Sequence, residues 1–278
     1  MSSTQETERT LASDPRSQGD IIVIEAENDK SHPRLGVVIN ADCDLAHERL
    51  DGVITYLPIY TFREYVENFW APDHVEERKS SATATILQLI GDGETESTSL
   101  AAWLHSAGPE AVHKALVQSL DLKKRQSEQL EREVAKLYAA LDEDNTSLER
   151  FYSLCRLEKD PQGFARKQLG AAKKAMGEGH FMISEVVGHN DLGFVIRMRR
   201  TYSLPEKLYF RSTSEQLSHS SGDEITAVRI CRLSELYRVK VLQLFAQQFS
   251  RIGLPDEITA LSGLAIDDLV EAVERLGS

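Results

Sequence analysis

The chain has 278 residues, 41% of them hydrophobic and 27% charged, and carries a net charge of −12. That length holds one large domain or two ordinary ones around a real core, and no apolar run approaches the roughly 20 residues needed to cross a bilayer. The acidic balance disfavours indiscriminate binding to nucleic acid, which needs a basic footprint.

The opening 18 residues, polar and rich in Ser, Thr and Glu, read as a disordered tail. They lack the apolar core of a secretory signal, so the expected location is the cytoplasm. Residues 19–26 (GDIIVIEA) and 35–41 (LGVVINA) read as strands, the second buried on both faces because its apolar run is unbroken. Residues 44–50 fit one or two helical turns with Asp42 or Asp44 as cap. Residues 53–59 (VITYLPI) form a third strand with Pro58 near its end.

The period then changes. TFREYVENFW (61–70) spaces its apolar residues for an amphipathic helix that Ala71-Pro72 should stop, and ATATILQLI (82–90) reads as a strand closed by Gly91. A helical region follows from about residue 100 to 174. Within it, Leu130, Val134, Leu137, Leu141 and Leu148 follow the spacing of a coiled-coil seam or helical hairpin, a candidate surface for self-association. Strands return at 181–188 and 192–200, flanking a His189-Asn190-Asp191 turn, and again at 208–212 and 225–233. Helices are expected over 234–252, with a stripe wide enough for core, and over 266–276.

The order of elements gives an α+β fold: a tail (1–18), a small β-barrel element (19–98), a helical, coiled-coil-like middle (99–178), and an α+β C-terminal region (179–278) of antiparallel strands and helices. Whether the late strands complete the first barrel, with the helices as an insertion, or build their own sheet is open at this level.

Gly19-Asp20, Arg34 ahead of the second strand, Asn40 at its end, and Pro58, Ile59 and Thr61 closing the third strand resemble the opening of MazF/PemK-type toxins. The likeness spans residues 19–61, under a fifth of the chain. Leu35 stands where that family has proline and Asn40 where it has serine. The resemblance implies an SH3-like barrel, a bacterial stress, toxin–antitoxin or phage-defence setting, and metal-independent RNA cleavage. Arg34 would then be the cation facing the phosphate, and His32 or His47 the acid or base.

A second constellation stands on residue types alone. Cys43 follows a buried strand and precedes helical turns, where a thiol pKa is lowered, and His47 is one helical turn on with Asp44 beside it. Those are parts of a Cys-dependent hydrolase, although the flanking Asp42 and Asp44 oppose thiolate formation. Asp42, Asp44, His47 and Glu48 match no EF-hand or HExxH spacing, and no Walker loop, GxGxxG or GxSxG occurs, so neither a metal nor a cofactor is expected. Three cysteines, Cys43, Cys155 and Cys231, without CxxC or zinc spacing fit a reducing compartment. Arg197, Arg199, Arg200, Arg211, Arg229 and Arg232, with Tyr202, Tyr209 and Phe210, read as one solvated sheet face or as a nucleic-acid strip, the former preferred. These readings favour a non-catalytic interaction or regulatory protein with an unidentified protein partner and a possible homodimer. A MazF-like endoribonuclease and a Cys-dependent hydrolase are the alternatives.

Overall fold

Two short runs, IIVI and LGVV, are apolar at every position because both faces of their sheet are covered. In the structure, a computed structural model that describes residues 5–25, 32–47, 49–91, 97–120, 122–177, 179–219 and 225–250, these runs are adjacent antiparallel strands. In chain order the elements are β1 (Thr7–Glu8), β2 (Asp20–Glu25), β3 (Leu35–Val38), α1 (Asp42–Ala46) and β4 (Val53–Thr61). Next come α2 (Phe62–Tyr65), a π-helical turn (Val66–Trp70), α3 (Ala71–Ile90), α4 (Ser97–Ala107), α5 (Pro109–Ser119), α6 (Lys124–Leu141), α7 (Ser147–Arg156) and α8 (Pro161–Ala175). The chain then returns to β5 (His180–Ile183), β6 (Phe194–Arg197), β7 (Tyr202–Pro205), β8 (Tyr209–Phe210), α9 (Thr213–His219), β9 (Thr226–Leu233) and α10 (Glu235–Ser250). The final helix expected over 266–276 lies outside the described residues.

The strands form a single curled half-barrel in the order β1-β9-β2-β3-β4-β6-β5, with β7 also on β4 and β8 also on β9. All pairings are antiparallel except β8 with β9. The late strands therefore share the sheet of the early ones, and the helices from α2 to α8 are inserted between β4 and β5. Ile21, Leu35, Val37, Leu57 and Ile59 face a core closed by Val241, Tyr237, Leu244 and Phe245 of α10. Ile22, Ile24, Val38, Ile54 and Tyr56 alternate to the opposite face. Of the wide stripe read on α10, Leu236, Val239 and Phe249 stay exposed.

Pro58 lies inside β4 rather than near its end. Ile39 N–H donates to the Thr55 carbonyl, so odd-numbered β4 residues bond toward β3 and Pro58 faces the other neighbour. On that side β7 pairs with Val53–Tyr56 and β6 with Ile59–Thr61, so Pro58 sits in the gap where no strand needs its missing N–H. Opposite it is Gly36, where a Cβ would stand 2.4 Å from Tyr56 Cδ2, so only glycine lets the Tyr56 ring lie flat on β3.

Four expectations are corrected. The opening segment is not a tail from residue 5 on. β1 pairs with β9, and the carbonyls of Leu11, Asp14 and Pro15 accept from the Arg229 guanidinium at 2.7, 3.0 and 2.8 Å. Neither Asp42 nor Asp44 caps α1, whose N-cap is Ala41. Residues 82–90 are the second half of α3, not a strand: Ala82 and Ile86, one turn apart, are buried against the helical core. Thr and Ile gave that stretch a β-like composition, but its burial period is helical. Pro72 does not stop the helix either. It occupies the first turn of α3, where its N–H is dispensable, and the preceding π-helical turn widens the spiral ahead of its ring.

The inserted helices bury their own seam. Leu130, Val134 and Leu137 of α6 pack with Ile86, Leu100, Leu104, Val112 and Leu116 of α3, α4 and α5. Leu148 belongs to α7, which starts afresh at a Thr146/Glu149 capping box. The residues read as a self-association surface are thus consumed within the chain.

One buried charge pair holds the sheet to the opening segment. Asp20 and Arg229 side chains are fully enclosed and 3.4 Å apart, and Asp20 also accepts from Arg232 Nε at 2.6 Å and the Tyr209 hydroxyl at 2.6 Å. Replacing Asp20 with Asn strands the enclosed guanidinium without a counter-charge. The expected loss is about 3–5 kcal/mol in a urea unfolding titration, whereas Tyr209→Phe, which removes one donor to the carboxylate, should cost about 1.5–3 kcal/mol.

His74 gives a pH signature. Its ring is stacked on Trp70 at 4.5 Å and buried, and its Nε2 has no hydrogen-bond partner. Burial, reinforced by the charge of Arg78, holds its pKa below 6.5. The unfolded chain therefore binds this proton more readily than the folded one. Stability should be intact above about pH 6.5 and fall as the pH drops through and below that value. The urea midpoint should drop between pH 8 and pH 5.5, and His74→Phe should shrink that drop.

Candidate functional site

The residues singled out by the sequence occupy opposite ends of β3. Arg34, exposed, precedes it, and its carbonyl accepts from Ile24 N–H at 2.8 Å. Cys43 and His47 follow the strand's other end, on and just after α1. At about 3.3 Å per residue, β3 separates positions 34 and 39 by roughly 16 Å. His32, near Arg34, is half-buried, with Nδ1 2.9 Å from the Tyr56 hydroxyl and its ring 5.7 Å from that of Tyr202. The structure therefore keeps Arg34 and Cys43 apart.

Cys43 and His47 are close, but not as nucleophile and base. His47 Nδ1 lies 2.7 Å from the Cys43 carbonyl oxygen, a turn-closing contact, while the thiol points to Asp44 Oδ1 at 3.6 Å. Asp42 is held elsewhere: it accepts from Ser17 Oγ at 2.6 Å, Gln18 N–H at 2.7 Å and Arg238 at 3.1 Å. Partial burial opposes its ionisation, but those hydrogen bonds and Arg238 outweigh it and keep the carboxyl below its ordinary value. Asn40 is a strand part: its Oδ1 accepts from Thr55 N–H at 2.6 Å and extends the β3–β4 ladder. Among the described residues no group of three His, Cys, Asp or Glu side chains could hold a metal ion. Glu48 lies outside them.

The basic residues of the late strands divide into two sets, which corrects the reading of one solvated face. Arg229 is enclosed and Arg232 mostly so, with Tyr209 and Phe210 buried beside them. Arg197, Arg199 and Arg200 lie on the other side of the sheet's span. Arg197 Cζ stands 4.0 Å over the Phe69 ring and Arg200 Cζ 4.9 Å over the Tyr202 ring. Phe69 comes from the π-helical turn and meets Tyr60 edge-on at 5.0 Å, while Tyr202 stacks on Tyr56 at 5.8 Å. The result is an arginine-capped aromatic strip across β4, β6 and β7. Burial, with the nearby Tyr202 hydroxyl, pushes Tyr60 up to about 12, so it remains a proton donor at neutral pH. His180, beside Tyr65 at 5.2 Å, is held below 6.5 mainly by burial, with the charges of Arg197 and Arg199 acting in the same direction.

A third feature had no sequence signal. The end of α6 and the following turn bring Tyr138, Asp142, Glu143 and Asp144 opposite Ala101, Ala102 and His105 of α4 around a cleft of about 650 Å³. Leu141 also lines it, so apolar and acidic residues share its surface.

Thiol labelling separates exposure from reactivity. Cys43 is exposed, while burial pushes Cys155 up to about 11 and Cys231 up to about 12. Near pH 7.5, iodoacetamide should modify Cys43 alone in the native protein and the other two only after unfolding. A native Cys155 or Cys231 that labels as fast as Cys43 would contradict this packing. No protein-family model matches the chain, and no curated protein or solved structure matches it.

Proposed function

We propose that the chain is a non-catalytic interaction or regulatory protein of the bacterial cytoplasm, and that its inserted helices receive a basic segment of a protein partner. The acidic cleft between α4 and α6, lined also by Tyr138, carries this reading. Its three carboxylates sit on a chain whose net charge is already −12, so charge complementarity selects a Lys- or Arg-bearing peptide. The Tyr138 ring suits the methylene stem or guanidinium plane of such a residue. His47 Nδ1 on the Cys43 carbonyl, with the thiol turned to Asp44, weighs against a Cys-dependent hydrolase; the other alternative is a MazF-like endoribonuclease on an SH3-like barrel.

A photo-reactive amino acid at position 138 tests this in cells. The expected result is an adduct whose partner peptide is rich in Lys and Arg, weakened at least several-fold by Glu143→Lys with Asp144→Lys. Absence of an adduct, or one indifferent to the charge reversal, refutes the proposal. RNA 5′-end mapping after expression of wild type and Arg34→Ala serves the alternative: new ends that vanish in the variant would replace the interaction reading with a ribonuclease.

A further inference from the structure

α10 has two apolar faces, and only one of them is used by the sheet. Tyr237, Val241, Leu244 and Phe245 close the half-barrel core. Val239, Leu242, Ala246 and Phe249 follow a 3-4-3 spacing, which puts them on a second stripe roughly 140° around the helix from the first set. Val239 and Phe249 are 45% and 56% exposed, Ala246 is exposed and Leu242 is half-buried. From Val241 to Phe249 the sequence VLQLFAQQF carries no charge, in a chain that is 27% charged. A helix face meant for water is polar or charged; this one has the composition of a contact surface. The sequence after α10 carries the matching pattern. Ile266, Leu269, Val273 and Leu276 repeat the 3-4-3 spacing, with Asp267, Asp268, Glu271 and Glu274 among the intervening positions. Read as helical faces, the two stripes have the same length, about 15 Å at 1.5 Å per residue. The joining residues 250–265 contain Gly253 and Pro255 and exceed the roughly two to eight residues that an antiparallel pair of helices needs.

We propose that the segment 266–276 of this same chain folds back antiparallel on α10 and covers the stripe from Val239 to Phe249. Ile266 then meets Phe249, Leu269 meets Ala246, Val273 meets Leu242 and Leu276 meets Val239. Two stripes of matched spacing form the seam of a helix pair, and the small Ala246 leaves room for the larger Leu269. A short tether gives the segment an effective concentration in the roughly millimolar range. That exceeds the concentration of a second copy or a separate partner, so a contact of four apolar side chains is filled from within. The opposite face of α10 closes the half-barrel core, so the segment holds the closing helix against the sheet from outside.

The test is disulfide crosslinking of the full chain in a Cys43→Ser background, which removes the exposed thiol. The probing pair is Ala246→Cys with Leu269→Cys. The control pair is Lys240→Cys with Leu269→Cys, because position 240 is exposed but lies off the stripe. The probing pair should oxidise within one chain, as a monomer, roughly tenfold or more faster than the control, since a disulfide needs Cα atoms within about 7 Å. A disulfide joining two chains at micromolar concentration would assign the stripe to a second copy and overturn the proposal, as would equal rates for the two pairs. Hydrogen exchange gives a second reading without engineered cysteines. Leu269→Asp with Val273→Asp should speed amide exchange in 239–249 several-fold and leave α6 and α7 unchanged. Exchange in 239–249 that is unchanged in this variant overturns the proposal.

Discussion

The fold hangs on an enclosed carboxylate. Asp20, at the start of β2, gathers Arg229 and Arg232 from β9, Tyr209 from β8 and the Ser17 N–H of the opening segment. Arg229 in turn donates from its two terminal nitrogens to the carbonyls of Leu11, Asp14 and Pro15, leaving its buried Nε without a partner. A buried pair of this kind contributes little net stability over an apolar substitute, but breaking it by half is expensive. What it supplies is order. It fixes which late strand joins β2 and obliges the first residues to lie across the sheet, where β1 continues the ladder. Arg16 adds to the same corner, donating to the Tyr209 carbonyl at 2.7 Å and pairing with Glu206 at 3.1 Å.

Much of the sheet was legible in the chain. Unbroken apolar runs at β2 and β3 announced two covered faces, and the Gly and Asp turns bounded the strands. The β5–β6 hairpin and the helical middle followed from period alone. What was not legible was set by partners far away in sequence. The opening segment looks disordered because its ordering groups are carbonyls, which carry no side-chain signal, and their donor is 214 to 218 residues away. The stretch 82–90 looks like a strand because Thr and Ile dominate it, yet its Ala82/Ile86 spacing was the better guide. A capping box at Thr61 and Glu64 marked the true start of that long helical run.

The site was less legible than the fold. Cys43, His47, His32 and Arg34 were singled out because they are the residue types that carry chemistry, and the structure distributes them along β3. The aromatic strip depends on strands β4, β6 and β7 meeting a π-helical turn, a juxtaposition that no local window contains. The arginines were visible as a concentration, but only burial divides them into those that are spent on Asp20 and those that remain available on rings. The acidic cleft likewise arises from α4 and the end of α6, separated by α5.

Because Asp20 and Arg229 are 209 residues apart, the two halves of their bond leave the ribosome at different times. At roughly 5–20 residues per second, β2 waits about 10–40 s for its neighbour β9. During that interval the inserted helices, whose contacts are local, can fold first. The outer edge of β2 meanwhile stays open, with an ionisable group where the native core will be. A nascent chain in this state is discouraged from premature collapse onto that edge, since a carboxylate resists desolvation until its guanidinium arrives. The same charge that locks the finished sheet therefore acts, during synthesis, as a guard on its unfinished border.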